Sequence, residues 1–356
     1  MQLTKLTKVR KALQEENLDG LLITSPINRR YLTNFTGTAG VAIVGKEEAV
    51  FITDFRYTEQ AEDQIKDFEI LEHTTLINDE IHKQLKKLNI NKLGFEQNYV
   101  TFAEYTNYKQ AFSNVELTPV SNMVENLRLI KSDEELAIMQ KAADIADKAY
   151  EHILTYIKPG VKEIDVANEL EFYMRQLGAT SSSFDTIVAS GYRSALPHGV
   201  ASEKEIQSGE LVTMDFGALY EGYCSDITRT VAVGEISDKL KEIYDVVLTA
   251  QKLGVEHIKP GMTGKEADAL TRDYITEKGY GEYFGHSTGH GLGMEVHEAP
   301  GLSHRSEVKL SPGMVVTVEP GIYIPEVGGC RIEDDIVITE TGNRRLTKSD
   351  KELIIL

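Results

Sequence analysis

Hydrophobic residues in the first third of the chain alternate between short apolar runs, typical of strands, and amphipathic stretches, typical of helices. The pattern predicts helices at 3–17, 57–65 and 79–88, and strands at 20–24, 40–44, 49–53, 68–72 and 92–96. Such alternation indicates an α/β domain of roughly 125 residues. Because it holds few clusters of chemically reactive side chains, we interpret this domain as mainly a scaffold or a dimerisation unit.

The pattern changes near residue 128, where apolar positions begin to recur at helical spacing for more than twenty residues. Ser132 stands just before Glu134 and Glu135, an arrangement typical of a helix N-cap. We therefore place a domain boundary here, with one domain at 1–127 and a second at 128–356.

The second domain contains an internal repeat. The stretch 156–171, YIKPGVKEIDVANELE, resembles 257–272, HIKPGMTGKEADALTR, at an offset of 101 residues. Likewise, 208–217, SGELVTMDFG, resembles 311–321, SPGMVVTVEPG, with Asp215 and Glu319 offset by 104 residues. Two separated matches at nearly one offset predict a duplicated module of helices and strands, with its halves related by a pseudo-twofold axis.

Each repeat carries an acidic residue at the end of an apolar strand and a second acid beyond a turn. Asp215 is followed by Asp226, and Glu319 is followed by Glu333. A hairpin would bring the members of each pair face to face, at roughly 5 Å between cross-strand neighbours. Such carboxylates repel each other unless a cation or a proton lies between them.

One such hairpin could equally be an edge strand with its charges in water, but two related by a repeat favour a cation site. Oxygen ligands with one imidazole suit Mn²⁺, Co²⁺, Fe²⁺ or Zn²⁺, and four carboxylates can hold two ions. His290, in the glycine-rich stretch GHSTGHGLGMEVHE at 285–298, lies between the two hairpins and is the expected imidazole ligand. Its flanking glycines allow close backbone approach.

Composition narrows the class of protein further. The chain of 356 residues is 41% hydrophobic and 26% charged, as expected of a globular protein with a large core. A formal charge of −18 argues against nucleic acid and anionic membranes as partners. Two cysteines give no disulfide framework, the N-terminus lacks the apolar core of a signal peptide, and no apolar run reaches bilayer length. We expect a cytoplasmic protein.

Four stretches together resemble a known family: MDFGALYEGYCSDITRT, GHSTGHGLGMEVHE, VEPGIYIPEVGG and RIEDD. They are similar to the proline-peptidase branch of the pita-bread metallopeptidases, peptidase family M24, which includes Xaa-Pro dipeptidase (prolidase) and Xaa-Pro aminopeptidase (aminopeptidase P). The resemblance covers the whole chain. It implies an α/β creatinase/prolidase-type N-terminal domain followed by an α+β pita-bread catalytic domain with an internal pseudo-twofold repeat, and by resemblance we expect a homodimer.

The resemblance also implies roles for individual residues. Asp215 would bind one divalent metal ion, His290 and Glu319 the other, and Asp226 and Glu333 would bridge the pair. Mn²⁺ is the expected metal, with Co²⁺, Zn²⁺ or Fe²⁺ as alternatives. A water or hydroxide between the metals would be the nucleophile, and Glu319 would take its proton. The same resemblance gives substrate-binding or orienting roles to His198, His286, His297 and Arg331.

Several alternatives stand beside this interpretation. Arg331 could merely neutralise a neighbouring acid, and Cys224, two residues before Asp226, could be a soft ligand rather than a buried apolar residue. Methionine aminopeptidase is disfavoured by Arg331 and the long N-terminal domain. Creatinase-like chemistry without metal and a non-catalytic binding module are disfavoured by the complete ligand set, and a serine hydrolase by the absence of GxSxG.

The expected substrate is a proline-containing peptide. An Xaa-Pro bond is a tertiary amide without an N–H, which general peptidases do not accommodate. The stretches 290–303 and 328–335 favour a dipeptidase over an aminopeptidase that acts on longer peptides. Both remain open from the sequence.

Overall fold

The computed structural model describes residues 4–356 and divides into two compact units, one ending at Arg128 and one beginning at Leu129. In the part of the chain that is described, no helix combines the length and the apolar character needed to cross a membrane.

The N-terminal unit is a six-stranded mixed sheet with helices. Its helices are α1 (Lys5–Glu15), α2 (Pro26–Thr33), α3 (Thr58–Gln64), α4 (Ile77–Lys87), α5 (Phe102–Ala111) and α6 (Glu125–Arg128). Its strands are β1 (Gly20–Ile23), β2 (Val41–Gly45), β3 (Ala49–Thr53), β4 (Glu69–Glu72), β5 (Lys92–Glu96) and β6 (Glu116–Val120), in the order β4-β3-β2-β1-β5-β6. The α/β architecture expected from the alternating pattern is confirmed.

Four elements of this unit were not predicted from the sequence, namely α2, α5, α6 and β6. Helix α5 buries only Tyr108 among its residues, so it has no apolar stripe for periodicity to detect. Its start was nevertheless encoded, because Thr101 and Glu104 form a reciprocal capping box. In α2, Ser25 caps the helix and Pro26 occupies its first turn.

The second unit begins with the long helix that the sequence predicted. Its helices are α7 (Asp133–Ile153), α8 (Glu163–Gln176), α9 (Asp238–His257) and α10 (Gly264–Glu277). Ser132 caps α7, and Glu135 completes the capping box, as expected. The buried face of α7 packs through Ala146, Ala149 and Ile153 against β-sheet side chains in one apolar cluster.

The strands of the second unit form two main antiparallel sheets and two small ones. They are β7 (Ser181–Ser182), β8 (Ile187–Ser190), β9 (Glu210–Phe216), β10 (Ala218–Tyr220), β11 (Tyr223–Cys224), β12 (Ile227–Val233), β13 (Gly289–Gly291), β14 (Glu298–Leu302), β15 (Val315–Val318), β16 (Gly321–Ile324), β17 (Gly328–Arg331), β18 (Asp334–Ile338) and β19 (Asn343–Arg345). The main sheets are ordered β12-β9-β8 and β14-β13-β15-β18-β19, and the small ones β11-β10-β7 and β16-β17.

The element order shows the internal repeat directly. Helices α7 and α8 lead into β8, β9 and β12, and helices α9 and α10 lead into β13, β15 and β18, with the three strands antiparallel in both copies. A short hairpin interrupts each copy between its last two strands, β10–β11 in the first and β16–β17 in the second.

Equivalent turns of the two copies also share a left-handed backbone. Gly160 and Gly261 have φ angles of 90° and 87°, and Gly209 and Gly313 have φ angles of 90° and 87°. These glycines occupy matched positions in the two repeats, which explains why the sequence similarity is strongest around them.

We expect Gly261→Ala to lower the free energy of unfolding by about 1–2 kcal/mol, because an L-residue is strained at this φ even though no atom lies within 4 Å of the added Cβ. Gly342→Ala is the matched control, since its Cβ also meets no atom within 4 Å and its φ is not left-handed. Urea unfolding followed by circular dichroism measures both variants, and equal losses would contradict the strain argument.

Candidate metal centre

The nine side chains to which the family resemblance gave roles line one cavity of about 370 Å³ in the second unit. The repeat places the acids at equivalent points: Asp215 lies near the end of β9, Glu319 follows β15, and Asp226 and Glu333 immediately precede β12 and β18. The nine residues around the cavity are His198, Asp215, Asp226, His286, His290, His297, Glu319, Arg331 and Glu333.

The strand register differs from the expectation that both acid pairs lie directly opposite each other. In the second repeat Val318 pairs with Asp334, so Glu319 and Glu333 flank the last pair of the ladder. In the first repeat Asp215 pairs with Thr228, two residues beyond Asp226, so the face-to-face expectation is wrong there. The position opposite Asp215 is used instead by Thr228, whose hydroxyl donates to Glu333 Oε2 over 2.7 Å and ties the two repeats together.

The acids are buried without enough hydrogen-bond donors. Asp226 and Glu333 are 4% and 1% exposed. Within residues 4–356, Asp215 Oδ1, Asp226 Oδ1 and Glu333 Oε1 have no hydrogen-bond partner. A buried carboxylate oxygen left unpaired is costly, so the cluster needs cations or protons.

Burial and mutual repulsion raise the pKa values of this cluster. Burial first, then the charges of neighbouring acids, raise the pKa of Asp226 and of Glu333 well above the ordinary range. Burial raises the pKa of Glu319 to about 8. The folded protein without metal therefore retains protons in this cluster to a higher pH than exposed carboxyl groups do.

His290 is arranged as a neutral ligand. Its Nδ1 lies 3.0 Å from the carbonyl oxygen of Gly291, so Nδ1 carries the proton and Nε2 keeps its lone pair. Burial lowers the pKa of His290 to about 4. Nε2 lies 3.3 Å from Glu319 Oε1 and 3.7 Å from Asp226 Oδ2. One ligand atom each of Asp226, His290 and Glu333 fall within 4.8 Å of one another, a donor set that suits a divalent cation.

Arg331 links the acids to Tyr323 and His286 through hydrogen bonds. Its Nη2 donates to Asp215 Oδ2 over 2.6 Å, and its Nη1 donates to the Tyr323 hydroxyl over 2.7 Å. The Tyr323 oxygen lies 2.8 Å from His286 Nε2, and His286 Nδ1 lies 2.8 Å from the Ser287 carbonyl. Burial, followed by the positive charge of Arg331, lowers the pKa of His286 to about 4.

Tyr323 was missed in the sequence, although it lies within the quoted stretch VEPGIYIPEVGG. It stands two residues after Gly321, where a Cβ would lie 2.4 Å from the Tyr323 oxygen. The alternation of strand residues between two faces could have revealed that Gly321 leaves room for this hydroxyl.

The remaining predicted residues fall into two groups. His198 and His297 are exposed at the cavity, and the ring of His297 is centred 4.3 Å from that of His290. Cys224, in contrast, is buried against the Met294 carbonyl, and burial raises the pKa of its thiol to about 12. It does not line the cavity, so the structure favours a packing role for Cys224 over a ligand role.

Comparison with known proteins identifies the class that this fold and this acid cluster define, a hydrolase of peptide bonds. Residues 137–340 match the model of metallopeptidase family M24, and residues 5–130 match that of the creatinase/prolidase N-terminal domain. The chain belongs to metallopeptidase family M24. Its family therefore implies divalent metals, and the expected proline-peptidase resemblance and pita-bread fold class are confirmed.

Individual relatives cover nearly the full length of the chain. An uncharacterized peptidase of Bacillus subtilis (strain 168) is 66% identical over 99% of this chain and 100% of its own. The structure of an Xaa-Pro dipeptidase from Bacillus anthracis superimposes with a TM-score of 0.98, at 64% identity over 99% of both chains. An X-Pro aminopeptidase from Thermotoga maritima reaches a TM-score of 0.92, at 38% identity over 97% of this chain and 100% of its own.

We expect Asp226→Asn to stabilise the metal-free protein, because the pKa of this buried carboxyl group is raised in the folded state and its ionisation therefore opposes folding. The gain in the free energy of unfolding should grow as the pH rises, because Asp226 ionises readily in the unfolded parent chain but not in the folded one. Unfolding in EDTA at several pH values measures it.

Asp334→Asn, a buried aspartate at the start of β18, is the matched control. Burial alone would raise the pKa of Asp334, but the charges of Arg229 and Lys351 outweigh burial and lower this pKa well below its ordinary value. The ionised Asp334 contributes its full share to the free energy of unfolding at any pH above the pKa of the unfolded chain. Asp334→Asn should therefore lower the free energy of unfolding by about 3 kcal/mol or more at every pH near neutrality. A loss of stability for both variants would contradict the repulsion described for Asp226.

Proposed function

We propose that this chain hydrolyses the Xaa-Pro peptide bond, using two divalent metal ions held by Asp215, Asp226, His290, Glu319 and Glu333. The observation that carries the proposal is the set of buried carboxylate oxygens around the cavity that no donor in residues 4–356 reaches. Family membership supplies the reaction class, and the chemistry of the donors suits the metals.

In the proposed arrangement Asp215 would hold one ion, His290 and Glu319 would hold the other, and Asp226 and Glu333 would serve both. The shared role is supported by position, because Asp226 and Glu333 come from different repeats and lie close to His290. Carboxylates with a single imidazole favour Mn²⁺, which we propose as the metal. Bound divalent cations would supply the positive charge that lowers the pKa of a water molecule towards neutrality.

The protein's own residues account for the remaining steps of the proposed reaction. Glu319 accepts the proton of the attacking water, and Thr317 Oγ1 donates to Glu319 Oε1 over 3.1 Å and holds its orientation. His198, His286 and His297 bind the scissile carbonyl and the tetrahedral intermediate, because all three line the same cavity. Arg331 orients Asp215 through the 2.6 Å contact of its guanidinium.

Proline specificity is supported by the apolar part of the cavity. Phe184, Ile187, Pro197 and Val296 line it beside the acids. An apolar wall suits the pyrrolidine ring, and the tertiary amide of an Xaa-Pro bond presents no N–H that would need an acceptor. The similar structure from Bacillus anthracis, an Xaa-Pro dipeptidase, supports a dipeptidase as the first choice.

One observation favours aminopeptidase activity as a second candidate. Among the described residues that line the cavity, Arg331 carries the only guanidinium. Its nitrogens already donate to Asp215, Tyr323, Thr228 and the Pro197 carbonyl. The free carboxylate of an Xaa-Pro dipeptide would then depend on the cavity histidines, whereas a longer peptide has no carboxylate at that position.

We expect the Mn²⁺-loaded protein to cut Ala-Pro faster than Ala-Pro-Ala and to leave Ala-Ala intact. Release of alanine, compared as kcat/KM, measures the preference. Faster cleavage of the tripeptide would overturn the dipeptidase assignment in favour of the second candidate. His290→Ala should reduce the rate at least about 100-fold through loss of metal, and His257→Ala, outside the cavity, is its control.

Mn²⁺ affinity should rise with pH between about pH 6 and pH 8, because the metal must displace protons from carboxyl groups whose pKa values are raised. Each proton released corresponds to about a tenfold gain in affinity per pH unit. Isothermal titration calorimetry in buffers with different ionisation enthalpies counts the protons. An affinity independent of pH, with no proton release, would contradict the proposed ligand set.

A further inference from the structure

Residues 284–288, which we name the His286 segment, form the last part of the connection from α10 to β13. One side of the segment lines the cavity through His286 and Ser287. Its other side contacts Asp268 and Arg272, which lie one turn apart on α10 and do not line the cavity.

Arg272 holds the main chain of the segment at two points. Its Nη1 donates to the carbonyl oxygen of Phe284 over 3.0 Å, and its Nη2 donates to that of His286 over 2.7 Å. The guanidinium also stacks 4.3 Å from the centre of the Phe284 ring, whose edge contacts the His286 ring at a centroid distance of 5.1 Å. Arg272 thus fixes His286 through its backbone and through an aromatic neighbour.

Asp268 holds both Arg272 and the far end of the segment. Its two carboxylate oxygens accept from Arg272 Nε and Nη2 over 2.6 and 2.9 Å, a bidentate pair of fixed geometry. Asp268 Oδ1 also accepts from the Thr288 N–H over 3.0 Å and from its hydroxyl over 2.8 Å. Asp268 is 1% exposed, so these bonds are shielded from water.

The Thr288 end connects to the metal centre. The carbonyl of Thr288 accepts from the N–H of Glu319 over 2.8 Å, and Gly289 and His290 follow Thr288 directly in the chain. At the other end, the His286 ring reaches Tyr323 and, through it, Arg331. The Asp268–Arg272 pair is therefore the part of α10 that sets where His286 stands relative to the metal ligands.

We propose that Asp268 and Arg272 are positioning residues for His286 in the hydrolysis reaction. The inference rests on the proposed function, because it assigns His286 a role towards the substrate. Neither residue contacts the cavity, so each acts through the segment it holds. Misplacing a catalytic group by about 1 Å can cost on the order of 100-fold in rate. We therefore expect the hydrogen bonds of Asp268 and Arg272 to the His286 segment to affect kcat.

The test compares Arg272→Gln with Arg175→Gln as a matched control. Arg175 lies on α8 and likewise donates to a loop carbonyl, that of Thr180, over 2.8 Å, but neither it nor Thr180 lines the cavity. We expect Arg272→Gln to lower kcat for Ala-Pro about tenfold or more with KM changed less than about threefold, and Arg175→Gln to match the parent. Arg272→Lys, which keeps the charge but not the fork, should restore only part of kcat.

Two further measurements separate positioning from general destabilisation. Titration with Mn²⁺ alone should give the parent affinity for Arg272→Gln, since the five metal ligands are retained. In a double-mutant cycle, Arg272→Gln should cost little more in the His286→Ala background, because its effect passes through His286. Full additivity in that cycle, or an unchanged kcat for Arg272→Gln, would overturn the inference.

Asp268→Asn provides a second variant should Arg272→Gln fold poorly. It keeps the size of the side chain but weakens the bidentate pair, and we expect the same fall in kcat with KM nearly unchanged. A parent protein that does not cut Ala-Pro or Ala-Pro-Ala would defeat the proposed function itself. An active parent with a fully active Asp268→Asn would defeat only the positioning role.

Discussion

Repulsion among buried carboxylates is the constraint on which the second unit depends. Asp226 and Glu333 meet where the two repeats join, and both are almost fully withdrawn from water. Each keeps one oxygen that no donor among residues 4–356 satisfies. Neutral side chains at these positions would stabilise the fold, because buried unpaired charge is among the most costly features a core can contain. The cost is understandable if the acids are kept for binding cations.

The rest of the second unit holds these acids in place. Arg229, 1% exposed, donates to the carbonyl oxygens of Thr228 and Glu333 and to Asp334 Oδ1, thereby joining β12 to β18. Asp334, next to Glu333 in the chain, points away from the cluster and is neutralised by Arg229 and Lys351. Adjacent acids of one strand thus have opposite electrostatic roles, since alternate side chains face opposite sides of a sheet.

A hydrogen-bonded chain extends outward from the cluster to His286. Arg331 and Tyr323 connect Asp215 to His286, and the Asp268–Arg272 pair holds the backbone on either side of His286. His286 is consequently constrained through its ring and through its main chain. Such preorganisation agrees with the general requirement that groups acting on a transition state be fixed before the substrate arrives.

Much of this protein was determined by its sequence. The alternating pattern gave the α/β class of the first unit, Ser132 and Glu135 gave the start of α7, and the glycine-centred repeat gave the duplicated module. These features are local or periodic, so one stretch of chain suffices to encode them. The nine charged and histidine side chains around the cavity were also found from the sequence, because their motifs resemble those of a known family.

Only the tertiary structure decided how these residues meet. The register that places Thr228, rather than Asp226, opposite Asp215 is visible only in the pairing of β9 with β12. The roles of Tyr323, Asp268 and Arg272 depend on side-chain contacts between different elements of the fold, which no local pattern records. The burial that raises the carboxylate pKa values exists only once both repeats have packed together, and that is the physical reason the sequence could name the acids but not their electrostatic state.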